Sequence, residues 1–460
     1  VDLNSKSEQY RIVRTALLRL LQQYSHLYPY GHFILAVESR DKMFLMTLML
    51  ATWELPITLF PLNPDLPLGY KKALLQQTGT KVLLSEDELS DDFQQRIIRS
   101  EFILLAQLGE VENSSGVNEH QIKLIIATSG STDIPKAVCL SRGNIMAHVE
   151  ASNQRVALSD SDNWLNCLPL FHVGGAMIVY RCLLTKCHMQ LWDKFQAEQI
   201  WQTIGNNSIS HISLVPAMLH KLLRITDHMP LPKTFKAVLI GGSALTKNLY
   251  EQAKKNGWPI CVSYGSSESC SHIATTCHIE GDYISGLTGR PLKNVEIAIE
   301  KPSSNSSVGL IKMRGPMIMS GYAQPDYSLG YGLQKGWLVS QDLGYFDEKG
   351  QLQVLGRIDE VINSGGEVIH PQVIEHEAAQ CPGITDVAIY GVSDVVWGKK
   401  MVMVFCGDWG VADVHEWCSE KLRHMFKLRE IVKVERIPRN AMGKIQRSEL
   451  PNLIGVSQSS

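Results

Sequence analysis

Residues 128–136 read Thr128-Ser129-Gly130-Ser131-Thr132-Asp133-Ile134-Pro135-Lys136, directly after the apolar run Leu124 to Ala127. Such a loop presents hydroxyls, backbone N–H groups and one ammonium to an anion, and phosphate is the anion it suits best. The bland alternative is a Ser/Thr turn at the surface. It is not a Walker loop, because Gly-Lys-Ser/Thr is absent and the lysine follows a proline. Metal chemistry has a thinner basis. Cys182, Cys187 and His188 cluster loosely, but the ten cysteines contain no Cys-x-x-Cys pair. They read as reduced, mostly buried thiols rather than a disulfide framework or a metal cage.

The elements that must position the loop follow an alternating pattern. Apolar residues from Gln9 to Gln23 recur at helical spacing, Phe33 to Val37 is of strand length, Met43 to Trp53 is helical and Ile57 to Phe60 is the next strand. Lys81 to Leu84, Phe102 to Leu105, Leu124 to Ala127, His211 to Val215 and Ala237 to Ile240 continue as short apolar runs between helix-length segments. That is the signature of an α/β fold with a mostly parallel sheet. Pro216 opens a helix straight after a strand. The pattern restarts near the C-terminus, with strands at Val387 to Tyr390 and Val402 to Phe405 and a helix from Asp413 to Met425, so a separate small domain is expected.

The 460 residues exceed a single module of roughly 150 residues by about threefold. With 44 Lys and Arg against 46 Asp and Glu, no global field recruits nucleic acid or acidic lipid. Met43 to Trp53 is about half of the ~20 residues a membrane span needs, so no membrane span is expected. No secretory signal is visible at Val1-Asp2-Leu3-Asn4, and a cytoplasmic protein is the expectation.

Thr-Ser-Gly-Ser-Thr followed by Pro-Lys resembles the phosphate-binding signature of the adenylate-forming superfamily, which holds acyl- and aryl-CoA synthetases, luciferases and nonribosomal adenylation domains. Seven further motifs resemble that superfamily in order. Leu168-Pro169-Leu170-Phe171-His172-Val173-Gly174-Gly175 is similar to its substrate gate, Gly241-Gly242-Ser243-Ala244 to its adenine loop, and Tyr264-Gly265-Ser266-Ser267-Glu268 to its Tyr-Gly-x-Thr-Glu motif. Gly336-Trp337 with Ser340-Gln341-Asp342-Leu343-Gly344, Gly356-Arg357-Ile358-Asp359, and Pro438 to Ile445 match its later segments. The resemblance implies a large N-terminal domain, residues 1–355, and a small mobile α+β domain, residues 356–460, turning on a hinge near Asp359.

It also implies roles. Thr128, Ser129, Gly130, Ser131, Thr132, Lys136 and Ser267 would bind ATP phosphates, and Gly241, Gly242, Ser243, Tyr264, Gly265, Asp342 and Arg357 the adenine and ribose. Glu268 would hold Mg²⁺, a hard cation suited to carboxylate and phosphate oxygens. Lys444 would touch the acid and the α-phosphate, His172 would gate the acyl channel, and Gly365 and Gly366 would line a coenzyme A tunnel. Lys399, Lys400 and Lys427 could meet coenzyme A phosphates or form a solvated basic face. Asp133 and Gln341 depart from the pattern where glycine is usual, as does Leu310, which stands where a Glu commonly follows Gly309.

Segments at Phe60 to Pro67, Ser213 to Leu219 and Glu268 to Ser271 resemble the o-succinylbenzoate–CoA ligases of menaquinone synthesis most. That acid keeps a second carboxylate after activation, so its pocket requires a cation or donors, with Arg181, Ser269, Ser271 and His272 as candidates. The expected reaction is ATP- and Mg²⁺-dependent ligation of a carboxylic acid to coenzyme A through an acyl-adenylate. Alternatives are another aryl- or medium-chain acyl-CoA ligase, an adenylation enzyme loading a carrier-protein thiol, or a non-catalytic binder. A homodimer is expected from many relatives.

Overall fold

The computed structural model describes residues 7–28, 32–86, 95–107, 116–128, 135–206, 208–226, 230–279, 281–304, 306–364, 367–394, 398–422, 428–440 and 443–455. Their strands form three sheets. The first runs, edge to edge, Gly321–Tyr322, Lys136–Ser141, Ile122–Thr128, Ile57–Leu62, Phe33–Glu38, Val82–Ser85 and Gln95–Ile98. From Ile122–Thr128 onward every pairing is parallel, and the two pairings on its other side are antiparallel. Ile57–Leu62 is buried along its whole length and is apolar but for Thr58, whose hydroxyl donates to the Ile122 carbonyl. The helix Lys42–Trp53, capped by Asp41, buries every residue from Phe44 to Trp53 and is a core helix.

The second sheet has eleven strands. Ile260–Ser266, Ala237–Ile240, His211–Leu214, Asn163–Asn166 and His188–Leu191 pair parallel. Beyond Ile260–Ser266 the sheet continues antiparallel through Ser271–Thr276, Leu287–Pro291, Leu352–Arg357, Leu338–Phe346, Gly309–Arg314 and Glu296–Glu300. A helix Pro216–Ile225 starts at the expected proline. The third sheet is built from Ile362–Ser364, Glu367–Ile369, Asp386–Asp394, Gly398–Cys406 and Leu428–Lys433. Its apolar core, with Ile374, Ile389, Met403, Phe405 and Val414, draws on no described residue before Ile362.

Two expectations are corrected. Phe102 to Leu105 is not a strand: Arg99–Leu104 is a helix that buries Phe102 alone, because a run of four apolar residues carries no period able to separate the two. Nor are all cysteines reduced. Pairing of Val262 with Thr276 sets Cys261 beside Cys277, and a disulfide joins them. The other eight cysteines are free, and all but Cys406 are buried.

Candidate active site

The phosphate loop closes an antiparallel pair. Thr128 stands opposite Lys136, and its hydroxyl donates to the Lys136 carbonyl over 3.2 Å. Ser129, Gly130, Ser131, Thr132 and Asp133 lie outside the described residues. Lys136 is exposed and places its Nζ 5.1 Å above the ring of Tyr322. Glu268 comes from the other large sheet, on the turn Ser267–Ser269 that follows Ile260–Ser266. The turn is tight enough to require Gly265, since a Cβ there would stand 1.8 Å from the Ser271 carbonyl oxygen. Cys270 and Ser271 both take positive φ, 57° and 118°, a strain of the kind that functional loops hold. Ser269, expected to face the acid, is fully buried, and its hydroxyl is engaged by the backbone of Ser266 and Ser271. The Glu268 carboxylate accepts a 2.9 Å hydrogen bond from the Tyr322 hydroxyl on Oε1, and its carbonyl accepts one from the Met319 N–H.

Among the described residues no group of three or more His, Cys, Asp or Glu gathers to cage a metal. Glu268 offers one carboxylate, and Mg²⁺ beside a nucleotide is held by one or two carboxylates completed by phosphate oxygens. The residues fit that ion and no soft one.

On the nucleoside side, Gly241 packs so closely that a Cβ would lie 3.0 Å from the Ser263 hydroxyl, Gly242 takes φ +84°, and Ser243 follows them. The Tyr264 hydroxyl donates to Asp342 Oδ2 over 2.7 Å. Burial pushes the Asp342 carboxyl above its ordinary value, against the pull of Tyr264, Arg357 and Lys444. Arg357 stands directly across the ladder from Asp342 and pairs with Asp359.

Lys444 reaches this centre from the third-sheet region. Gly443, at φ +72°, sits against Val215, and Arg439 binds both the Gly443 carbonyl and Asp386. The Lys444 charge acts on both Asp342 and His172. His172 caps the helix Val173–Thr185, whose approach to Pro169 leaves no room for a Cβ at Gly175. Burial, with Lys444 second, holds the His172 imidazole down to about 4, so it is neutral at physiological pH.

Two turns along that helix lies Arg181, 2% exposed. Its Nη2 donates to His272 Nδ1 over 3.1 Å and reaches Ser271 Oγ and His148 Nε2 at 3.5 Å. No carboxylate among the described residues pairs with it, and burial brings the guanidinium down to about 10. His148 and His272 are buried, and burial beside Arg181 keeps both neutral. Reasoning from sequence missed His148 and Tyr322. His148 sits on the buried face of the helix Arg142–Asn153 with Ile145, Val149 and Ser152, and a lone His on an apolar face gives no signal. Gly365, Gly366 and Lys427 lie outside the described residues. Lys399 is exposed, whereas Lys400 is paired with Glu430.

Residues 35–323 match the AMP-binding enzyme family, and residues 373–444 match the AMP-binding enzyme C-terminal domain. The chain belongs to the AMP-binding enzymes. Among curated relatives of this AMP-binding enzyme, a 2-succinylbenzoate–CoA ligase of Bacillus mycoides is 33% identical over 338 residues, 72% of this chain and 70% of that protein. One from Enterococcus faecalis is 30% identical over 453 residues, 93% and 91% of the two chains. The solved structure of o-succinylbenzoate coenzyme A synthetase from Bacillus subtilis with AMP superposes with a TM-score of 0.84 at 25% identity, covering 96% of this chain and 92% of that one. The same enzyme with ATP and magnesium ion superposes at 0.82, again at 25% identity, covering 96% and 94% of the two chains. The fold is therefore the adenylate-forming one, a large N-terminal domain followed by a small C-terminal domain. No helix among the described residues is long and apolar enough to cross a membrane.

Proposed function

We propose that this AMP-binding enzyme is an AMP-forming acid–thiol ligase that joins o-succinylbenzoate to coenzyme A, as its curated relatives are named for doing. The observation that carries the choice of acid is Arg181. A buried guanidinium without a carboxylate is costly by several kcal/mol. A substrate with a second carboxylate relieves that cost on binding, and Ser271 and His272 stand beside the guanidinium to share it.

In the first half-reaction a carboxylate oxygen of the acid attacks the α-phosphorus of ATP, the new P–O bond forms, and pyrophosphate leaves with the electrons of the broken bridge. Both reactants are anions, so the site must offset their repulsion and hold them in line. Thr128, Lys136 and the intervening loop cradle the phosphates, and Ser267 offers a hydroxyl to the α-phosphate. Gly241, Gly242 and Ser243 make the adenine pocket, while Asp342, oriented by Tyr264 and flanked by Arg357, accepts from the ribose hydroxyls. Lys444 binds the acid and the α-phosphate together. Neutral His172 walls the acyl channel without adding charge. Mg²⁺, when bound by Glu268 and phosphate oxygens, supplies positive charge against the triphosphate.

The second half-reaction needs a thiol where Lys444 stood. The small domain, residues 356–460, is assigned to turn about Asp359, bringing Gly365 and Gly366 to the acyl-adenylate, whose carbonyl the thiol attacks with loss of AMP. Val354 still packs on the large core and the separate third-sheet core begins at Ile362, which supports a boundary between those two residues. A homodimer and a cytoplasmic location accompany this reading. The test is incubation with ATP, Mg²⁺ and coenzyme A against o-succinylbenzoate, benzoate, 4-coumarate and octanoate, with AMP and thioester measured together. Thioester with o-succinylbenzoate alone is expected; equal turnover of benzoate would remove Arg181 from acid selection.

A further inference from the structure

The two groups that must meet the triphosphate belong to different sheets: Lys136 to the first, Glu268 to the second. One short segment, Met319 to Tyr322, spans them. Tyr322 pairs with Val138, two residues from Lys136, and the Ser320 and Ala323 N–H groups bond the Cys139 and Ala137 carbonyls. The segment thus rides on the strand that leaves the phosphate loop. It also grips Glu268 twice, by the Met319 N–H on the carbonyl and by the Tyr322 hydroxyl on Oε1.

The Tyr322 ring is itself held. A Cβ at Gly332 would fall 2.4 Å from its Cδ2, so glycine there gives the ring its place, and the Tyr322 N–H bonds the Tyr331 carbonyl. The ammonium of Lys136 lies 5.1 Å above the ring, within reach of a cation–π attraction. Asn144 braces the same segment through the carbonyls of Pro316 and Ile318 and the hydroxyl of Ser320.

We propose that Tyr322 is a positioning residue that sets the metal-binding carboxylate in register with the phosphate loop: its hydroxyl occupies Glu268 Oε1 so that Oε2 faces the phosphates, and its ring seats Lys136. Tyr322 itself touches neither phosphate nor metal. The inference rests on Glu268 being the metal ligand.

The test uses Tyr322→Phe, which removes the hydroxyl and keeps the ring, with Mn²⁺ as a paramagnetic stand-in for Mg²⁺ and α,β-methylene-ATP as a nucleotide that cannot react. Mn²⁺ binding to the enzyme–nucleotide complex, read by electron paramagnetic resonance, is expected to weaken about tenfold, the loss of one hydrogen bond to a charged group. Metal-free AMP binding is expected to stay within about twofold, which a general folding defect would not allow. Tyr322→Leu, which also removes the ring, is expected to weaken metal-free α,β-methylene-ATP binding as well. Glu268→Gln is measured alongside. If Glu268→Gln leaves Mn²⁺ affinity unchanged, the ligand assignment fails and the role of Tyr322 falls with it. If Glu268→Gln weakens Mn²⁺ but Tyr322→Phe does not, or if Tyr322→Phe weakens AMP equally, only the positioning role is overturned.

Discussion

Arg357 holds Asp359 through two parallel hydrogen bonds, Nε to Oδ1 at 2.9 Å and Nη2 to Oδ2 at 2.8 Å. Arg357 ends a strand of the second sheet and faces Asp342, whereas Asp359 lies in the turn Ile358–Glu360 that leads to the third sheet. The next residue, Glu360, is paired with Arg447, whose other nitrogens hold Glu375. The turn is therefore gripped from both sides, by Arg357 at the end of the second-sheet strand and by Arg447 near the C-terminus.

If the chain pivots at Asp359, fixing its φ must separate the half-reactions. Proline holds φ near −65°, which a helical turn accepts and a reorientation does not. Asp359→Pro is expected to keep adenylate formation within about threefold and to slow thioester formation at least about tenfold. Asp359→Ala, which breaks the ion pair but leaves φ free, is expected to keep both within about threefold, because partly exposed pairs contribute little. Single-turnover release of pyrophosphate and of AMP measures the two steps separately.

In the proposed mechanism Lys444 serves the first step alone. Lys444→Ala is expected to lower the adenylation rate by about 10²- to 10³-fold, the range for losing one electrostatic contact to a reacting centre. Conversion of preformed acyl-adenylate to thioester is expected to change by less than about threefold. Loss of both in parallel would remove the assigned role.

Arg181 predicts opposite signs for stability and function. Arg181→Met removes a buried cation whose partners among the described residues are all neutral, so the unliganded protein is expected to gain about 1–3 kcal/mol in urea unfolding. The KM for o-succinylbenzoate is expected to rise by about 100-fold while that for benzoate stays within about twofold. Unfolding curves and acid-dependent AMP release check the two halves.

Lys123 is 1% exposed, with its ammonium on the carbonyls of Thr52 and Leu55 at the end of the helix Lys42–Trp53. Burial, with Arg142 second, lowers it to about 7 from 10.5. Between those values the unfolded chain carries a proton that the folded chain lacks. This residue therefore makes stability rise with pH from about 7 to 10.5, by at most about 1.4 kcal/mol per unit. Subtracting the pH profile of Lys123→Met from that of the wild type should leave this slope; a flat difference would mean the lysine stays charged when folded.

The parallel core was legible from local pattern because strands buried on both faces, such as Phe33–Val37 of the first sheet and Ile57–Leu62 with its single Thr58, are almost wholly apolar. Phe102 was misread because its helix buries only one residue and so leaves no period to detect. Motif spacing likewise singled out Thr128, Glu268, Asp342 and Lys444 as candidates, and of these the structure sets Asp342 against Tyr264 and within reach of the Lys444 charge.

Partners distant in sequence were beyond reach of any local signal. Glu268 meets Tyr322 from 54 residues away, and Arg181 meets His272 from 91. Cys261 and Cys277 meet only because two antiparallel strands share one register. Ser269 looked like a free donor until the turn engaged its hydroxyl. Side-chain chemistry is written in the residue and its neighbours, but its availability depends on which strand or helix packs against it. Burial left Arg181 with no carboxylate partner among the described residues, which its position in the sequence did not reveal.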